Sequence, residues 1–189
     1  MTAGAHPMGV SLRVLDAGAT SARAAGLADV LLDCVEGGAS VSFLWPMSRS
    51  EADAYWSGVI AGAAAGERIL IVAEDADGVV GTVQVVLAQP PNQPHRGDVS
   101  KMLVHRRARR QGVGALLMAA AEDAARAVGK TLLVLDTASA DAERLYERSG
   151  WTRVGVIPGY ALLPDGAPCD TTYFYKALDR ADGLEASAG

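Results

Sequence analysis

Apolar positions along this chain follow two alternating periods. Val10, Leu12 and Val14 alternate and predict a strand over 10–15. Asp16 to Thr20 reads as a turn. From Ser21 the period lengthens: Leu27, Val30, Leu31 and Cys34 or Val35 form a helical stripe that Gly37 and Gly38 end. Phe43, Leu44, Trp45, Pro46 and Met47 make an apolar loop. Ser48 and Glu51 fit a capping box for a helix carrying Tyr55, Trp56, Val59 and Ile60. Strands follow over 68–74 and 79–88, joined by a turn ending at Gly78. After the proline-rich loop 89–97, Val99, Met102, Leu103 and Val104 make a strand. A helix with Leu116, Leu117, Ala120, Ala121, Ala124 and Val128 on one side follows, and Gly129 ends it. Residues 131–137 are almost continuously apolar, as a strand covered on both faces should be. A short helix over 141–149, a strand over 153–157, a loop over 158–170 and an aromatic strand over 171–178 complete the chain.

The order β-α-α-β-β-β-α-β-α-β-β predicts an α/β (α+β) protein. Three antiparallel neighbours come first, then a strand-helix-strand crossover, then a closing hairpin. Residues 10–178 form one domain, with flexible tails over 1–9 and 179–189. The 189 residues are half hydrophobic and carry a net charge of −5. That balance argues against nucleic acid as a partner. An uncharged apolar run long enough for a membrane helix is absent, and so is a basic-then-apolar leader. Cys34 and Cys169 fit no metal or redox spacing, and His95 and His105 form no ligand set, so we expect no metal and a cytoplasmic setting. The aromatic last strand suggests a homodimer paired through it.

Against this acidic background the run from Arg106 to Gly114 stands out. A strand feeds a loop with Arg106, Arg107, Arg109 and Arg110, then Gly112 and Gly114, then a helix. Glycines admit close backbone approach, and the free N–H groups of a helix start attract an anion, so this is a device for holding phosphate. A dinucleotide fingerprint is not met, because Leu117 stands where the third glycine would fall.

Arg109-Arg110-Gln111-Gly112-Val113-Gly114 resembles the (Gln/Arg)-x-x-Gly-x-(Gly/Ala) signature of the GCN5-related N-acetyltransferase (GNAT) family. The segment from Ala142 through Leu145 and Tyr146 to Gly150 and Trp151 resembles that family's A-x-x-L-Y-x-x-x-G-(F/W) block. Within the family the likeness is closer to the tabtoxin resistance protein branch. It rests on Leu135-Asp136-Thr137, Arg153-Val154-Gly155, Pro158-Gly159-Tyr160 and Pro164-Asp165-Gly166.

The resemblance implies a mixed, mostly antiparallel twisted sheet of about seven strands with a central splayed parallel pair and about four flanking helices. It implies acetyl-CoA as cosubstrate, with Met102, Leu103 and Val104 along the pantetheine. Arg109, Arg110, Gln111, Gly112, Val113, Gly114 and Ala115 would lie at the pyrophosphate. Ser139 stands where the family has an asparagine. Tyr146 would lie at the thioester sulfur as proton donor, and Asp136 at the amine of a small-molecule acceptor, with Trp45 and Tyr160 on the acceptor's side. Acetyl would pass by direct attack in a ternary complex. Each residue also has a plainer reading: Tyr146 as a core aromatic, Asp136 as a turn residue, Trp45 and Tyr160 as packing. The whole could instead be a non-catalytic acetyl-CoA sensor or accessory protein. Glu74 and Asp98, at strand ends, are candidates for relaying a proton.

Overall fold

The structure, a computed structural model, describes residues 9–179. Apart from Gly9 and Asp179, the two predicted tails lie outside the described residues. Seven strands form one sheet in the order β1-β2-β3-β4-β5-β7-β6. They are β1 Ser11–Leu15, β2 Arg68–Asp75, β3 Gly78–Val86, β4 Arg96–Val104, β5 Leu132–Thr137, β6 Thr152–Leu162 and β7 Pro168–Ala177. The helices are α1 Ala17–Ser21, α2 Ala24–Glu36, α3 Arg49–Ala64, α4 Val113–Ala127 and α5 Ala140–Arg148. Among the described residues no helix is long and apolar enough to cross a membrane.

Period-two patterning in the central strands puts a core on each face of the sheet. Ile71 and Ala73 of β2 face Leu117, Met118 and Ala121 of α4, and α5 joins this layer through Tyr146. Leu70 and Val72 face Leu27, Leu31 and Val35 of α2 and Trp56 of α3. Ser48 caps α3 in a full capping box with Glu51. Strand neighbours are antiparallel except β4 with β5, which pair in parallel only through Arg96–Leu132, Gly97–Leu133 and Asp98–Val134. Beyond Asp98 the two strands part. β4 also carries one extra residue between Ser100 and Leu103, opposite Thr82 to Gln84 of β3. The bulge falls where Lys101 adopts a φ of 49°.

Three expectations are corrected. Residues 16–20 are not a plain turn: Asp16 accepts the Ala19 amide at 2.7 Å and starts the short helix α1. The segment 158–170 is not one loop, because β6 runs on to Leu162 and β7 begins at Pro168. Pro158 is tolerated because β6 is the edge strand and its register breaks between Ile157 and Ala161. Finally, β7 lies between β5 and β6. Both its edges are already paired, so the last strand cannot extend the sheet into a second copy; the edge strands are β1 and β6.

Candidate active site

The parting of β4 and β5 opens a cavity of about 1100 Å³. Its floor runs from Val99 to Val104 on one strand and from Leu135 to Thr137 on the other. The start of α4 closes one end, α5 one side, and the segment from Gly37 to Leu44 the roof.

The end expected to hold phosphate is built by the start of α4. Gly112 takes a φ of 82° and gives the helix no side-chain cap, so the first amides of α4 are free of side-chain acceptors. Gly114 is closely packed: a Cβ there would stand 3.1 Å from Leu145 Cδ2, tight enough that Leu145 would have to shift, and 3.7 Å from Met102 Sδ. The arginines divide into two groups. Arg106 pairs with Asp33 and Glu36 on α2, and Arg107 pairs with Asp75 at the β2–β3 turn. Both are tethers for the loop. Arg109 donates through Nε to the Val104 carbonyl at 3.0 Å and points a second nitrogen at Cys34 Sγ, 3.8 Å away. Arg110 lines the cavity, is exposed, and has no ion-pair or hydrogen-bond partner among the described residues. Val113, Gly114 and Ala115 line the cavity as expected of that end, whereas the Gln111 side chain turns back to the Arg107 carbonyl and is not on the wall.

Tyr146 is 5% exposed, wedged between Trp151 and Phe174 at centroid distances of 6.1 and 5.7 Å. It lines the cavity, and its hydroxyl has no hydrogen-bond partner among the described residues. Burial first, and then the negative charge of Asp136, push its phenol well above the usual range, so the proton stays on at neutral pH. Asp136 is exposed to the cavity and its Oδ2 accepts the Thr171 hydroxyl at 3.0 Å. Ser139 caps α5, its Oγ accepting the Ala142 amide at 3.3 Å.

Beyond Asp136 the wall is apolar on two sides. Phe43 and Leu44 line it from above and Tyr160 from β6, with the Tyr160 hydroxyl accepting that of Tyr173 at 2.8 Å. Trp45 is not on this wall. Its amide donates to the Pro164 carbonyl at 2.8 Å, which ties the 43–47 loop to the β6–β7 hairpin, and its ring is on the outer surface. Two candidates for proton relay are otherwise engaged: Glu74 holds Arg13 and Arg23, and Asp98 holds Arg96 and Gln89.

The acetyltransferase (GNAT) family profile matches residues 23–151, from α2 through α5 to Trp151. This chain belongs to the GNAT family. Solved structures share the fold. The yncA protein of Salmonella typhimurium, solved with its cofactor acetyl-CoA, is 21% identical over 94% of this chain and 99% of its own, with a TM-score of 0.73. A phosphinothricin acetyltransferase of Sinorhizobium meliloti, in complex with acetyl-CoA, is 18% identical over 96% and 95%, with a TM-score of 0.74. A ribosomal-protein-alanine N-acetyltransferase of Brucella melitensis is 20% identical over 88% and 99%, with a TM-score of 0.71.

The residues of this GNAT chain suit acetyl-CoA on local grounds. The cavity is large, its floor is a stretch of β4 backbone left unpaired on the side of β5, and one end combines a helix start without a side-chain cap with an unpartnered arginine. Cys34 sits on the wall, but burial pushes its thiol up and its hydrogen is directed at the Val104 carbonyl 3.6 Å away, so it packs rather than attacks. Sequence reasoning missed Lys101; in the 43–47 run it singled out Trp45, whereas Phe43 and Leu44 are the residues on the wall. A lysine directly before the apolar run Met102-Leu103-Val104 was the available signal for Lys101. Nothing in the run 43–47 distinguishes an inward ring from an outward one.

Proposed function

We propose that the chain transfers acetyl from acetyl-CoA to the primary amine of a small molecule, by direct attack in a ternary complex. The observation that carries this reading is the unpartnered Tyr146 hydroxyl, held protonated beside Asp136 at the open end of the β4–β5 gap. Acetyl-CoA supplies an activated acetyl thioester. The acceptor ammonium first gives a proton to solvent at Asp136; transfer then forms a C–N bond and breaks a C–S bond, the attacking nitrogen giving up a second proton and the sulfur gaining one. Tyr146 provides the proton at the sulfur. Asp136 faces the ammonium and orients it. Its Thr171 contact fixes the carboxylate rotamer. The α4 amides from Val113 to Ala115, with Arg110, hold the pyrophosphate. Met102 and Leu103 present backbone to the pantetheine arm, while the Val104 carbonyl is already occupied by Arg109.

An acceptor resembling an amino acid fits best. The Leu135-Asp136-Thr137 block of the tabtoxin-resistance type supports this, and so does the likeness to a phosphinothricin acetyltransferase. Nucleic acid is a poor partner, since Arg106 and Arg107 are spent on internal ion pairs and the net charge is −5. The test is CoA release across amino acids, amino-acid toxins, aminoglycosides and polyamines. Acetylated product with at least one class is expected. Tight acetyl-CoA binding with no product from any class would point to a sensor instead.

A further inference from the structure

Lys101 stands in the strained half of the β4 bulge, and nothing described so far uses it. A non-glycine residue at positive φ inside a strand persists only where its surroundings hold it there, and such residues gather at binding sites. The bulge re-aims the side chain into the cavity, where Lys101 forms part of the wall together with Asp136 and Phe43. Its Nζ donates to Ser42 Oγ at 3.0 Å and lies 5.9 Å from the centroid of the Tyr55 ring. Tyr55 is itself anchored, since its hydroxyl accepts from Gln84, which in turn accepts from Arg68. Among the described residues no carboxylate lies within ion-pair distance of Lys101. Asp136 acts on it only at longer range. Burial lowers the amine's affinity for its proton and Asp136 restores part of it. The result is a half-buried cation, held by one hydroxyl and one ring face, that lacks an anion.

The geometry points to Lys101 as the receptor for a carboxylate on the acceptor, adjoining the amine that Asp136 takes. This rests on the acetyl-transfer reading above and narrows it: the acceptor is a zwitterion, its two charges bridging the cavity between β4 and β5. Phe43, Leu44 and Tyr160 then flank its side chain. A decarboxylated or amidated amine would leave the Lys101 charge without a partner, and such unpaired groups are what give a site its discrimination.

The experiment pairs each common L-amino acid with its primary amide and adds the simple amines tyramine and putrescine. Initial rates of CoA release are measured for the wild type, Lys101→Met and Lys101→Arg. Acetyl-CoA affinity and melting temperature are followed in each. The wild type is expected to favour acids over amides at least tenfold in kcat/KM, mainly through KM. Lys101→Met should erase that ratio while acetyl-CoA affinity holds, and Lys101→Arg should restore part of it. If Lys101→Met does not fold, Ser42→Ala gives a smaller loss in the same direction, since it frees the ammonium from its anchor. Equal use of acids and amides by the wild type overturns the inference, as does a preference that survives Lys101→Met. Turnover of tyramine or putrescine without turnover of any acid sinks Lys101's role and leaves acetyl transfer standing. If no amine releases CoA, acetyl transfer is what fails. Calorimetry of the amino acids on the acetyl-CoA-loaded protein then decides Lys101: binding lost in Lys101→Met upholds it, and no binding to the wild type ends it.

Discussion

In the proposed reaction Tyr146 serves the thioester and Asp136 the amine, and each can be removed separately. The Tyr146 hydroxyl bonds to nothing among the described residues, while the ring is packed between Trp151 and Phe174. Tyr146→Phe therefore keeps the packing, and stability should change by less than about 1 kcal/mol. Turnover should fall by roughly 10²-fold or more if the hydroxyl is the donor to sulfur. Steady-state rates beside calorimetric acetyl-CoA binding check this, and an unchanged kcat would remove Tyr146 from the chemistry. Asp136→Asn should act on the other substrate. A hydrogen bond to a charged group contributes about 1.5–3 kcal/mol, so KM for the amine should rise by roughly tenfold or more while acetyl-CoA affinity holds. It would also remove the charge that helps keep the Tyr146 proton in place.

At the scale of elements, the loop before α4 combines tethers with one free contact. Arg110→Ala should weaken acetyl-CoA binding by about tenfold, the worth of one charge-assisted bond to phosphate. Arg107→Ala cuts a link to Asp75 and should leave that affinity nearly unchanged, and calorimetry on the two variants separates the roles. The Asp33 tether has a pH signature. Burial pushes Asp33 up, but hydrogen bonds from Arg106 and the charges of His105 and Arg106 outweigh it, so its carboxyl lies below the ordinary range. A depressed folded value means the stabilisation is complete above the unfolded value of about 3.9 and is lost as pH falls through the lower folded value. Melting temperature should drop over that acid window, and Asp33→Asn should flatten that part of the curve.

The same elements explain what the sequence could reveal. The strand-glycine-helix run and the Tyr146 block are local, and local pattern finds them. The partners of Arg106 and Arg107 lie 73 and 32 residues away, and no periodicity points to them. The Lys101 bulge belongs to the register of β3 against β4, a pairing rather than a segment. β6 was read short because Pro158 and Gly159 look like breakers; an edge strand with a register break accommodates both. Ser139 is a cap whichever ligand lies nearby, and its spacing to Ala142 was visible without being used.

At the scale of the molecule, a sheet that opens in its middle must be held together elsewhere. Only three residue pairs join β4 to β5. Across the back of that opening, Glu122 of α4 acts as a clasp. It is 6% exposed and accepts the Trp151 indole at 3.0 Å and Lys176 Nζ at 2.7 Å, with Arg126 at 3.5 Å. Lys176 also donates to the Ser149 carbonyl at the end of α5. One carboxylate thus binds the helix that carries the phosphate end to β7 and to the turn that follows Tyr146. Glu122→Ala leaves a buried indole N–H without an acceptor and a mostly buried ammonium without its counter-charge, at a cost of about 3 kcal/mol or more. For a chain of this size that is a fall of roughly 6–12 °C in melting temperature. Glu122→Gln keeps an acceptor for Trp151 and should fall less. If the clasp also sets where Tyr146 stands against the opening, kcat per folded molecule should drop in Glu122→Ala even well below its melting point, with acetyl-CoA affinity changing less. A full kcat in the folded fraction would limit Glu122 to stability, and the position of Tyr146 would then be fixed by its contacts with Trp151 and Phe174.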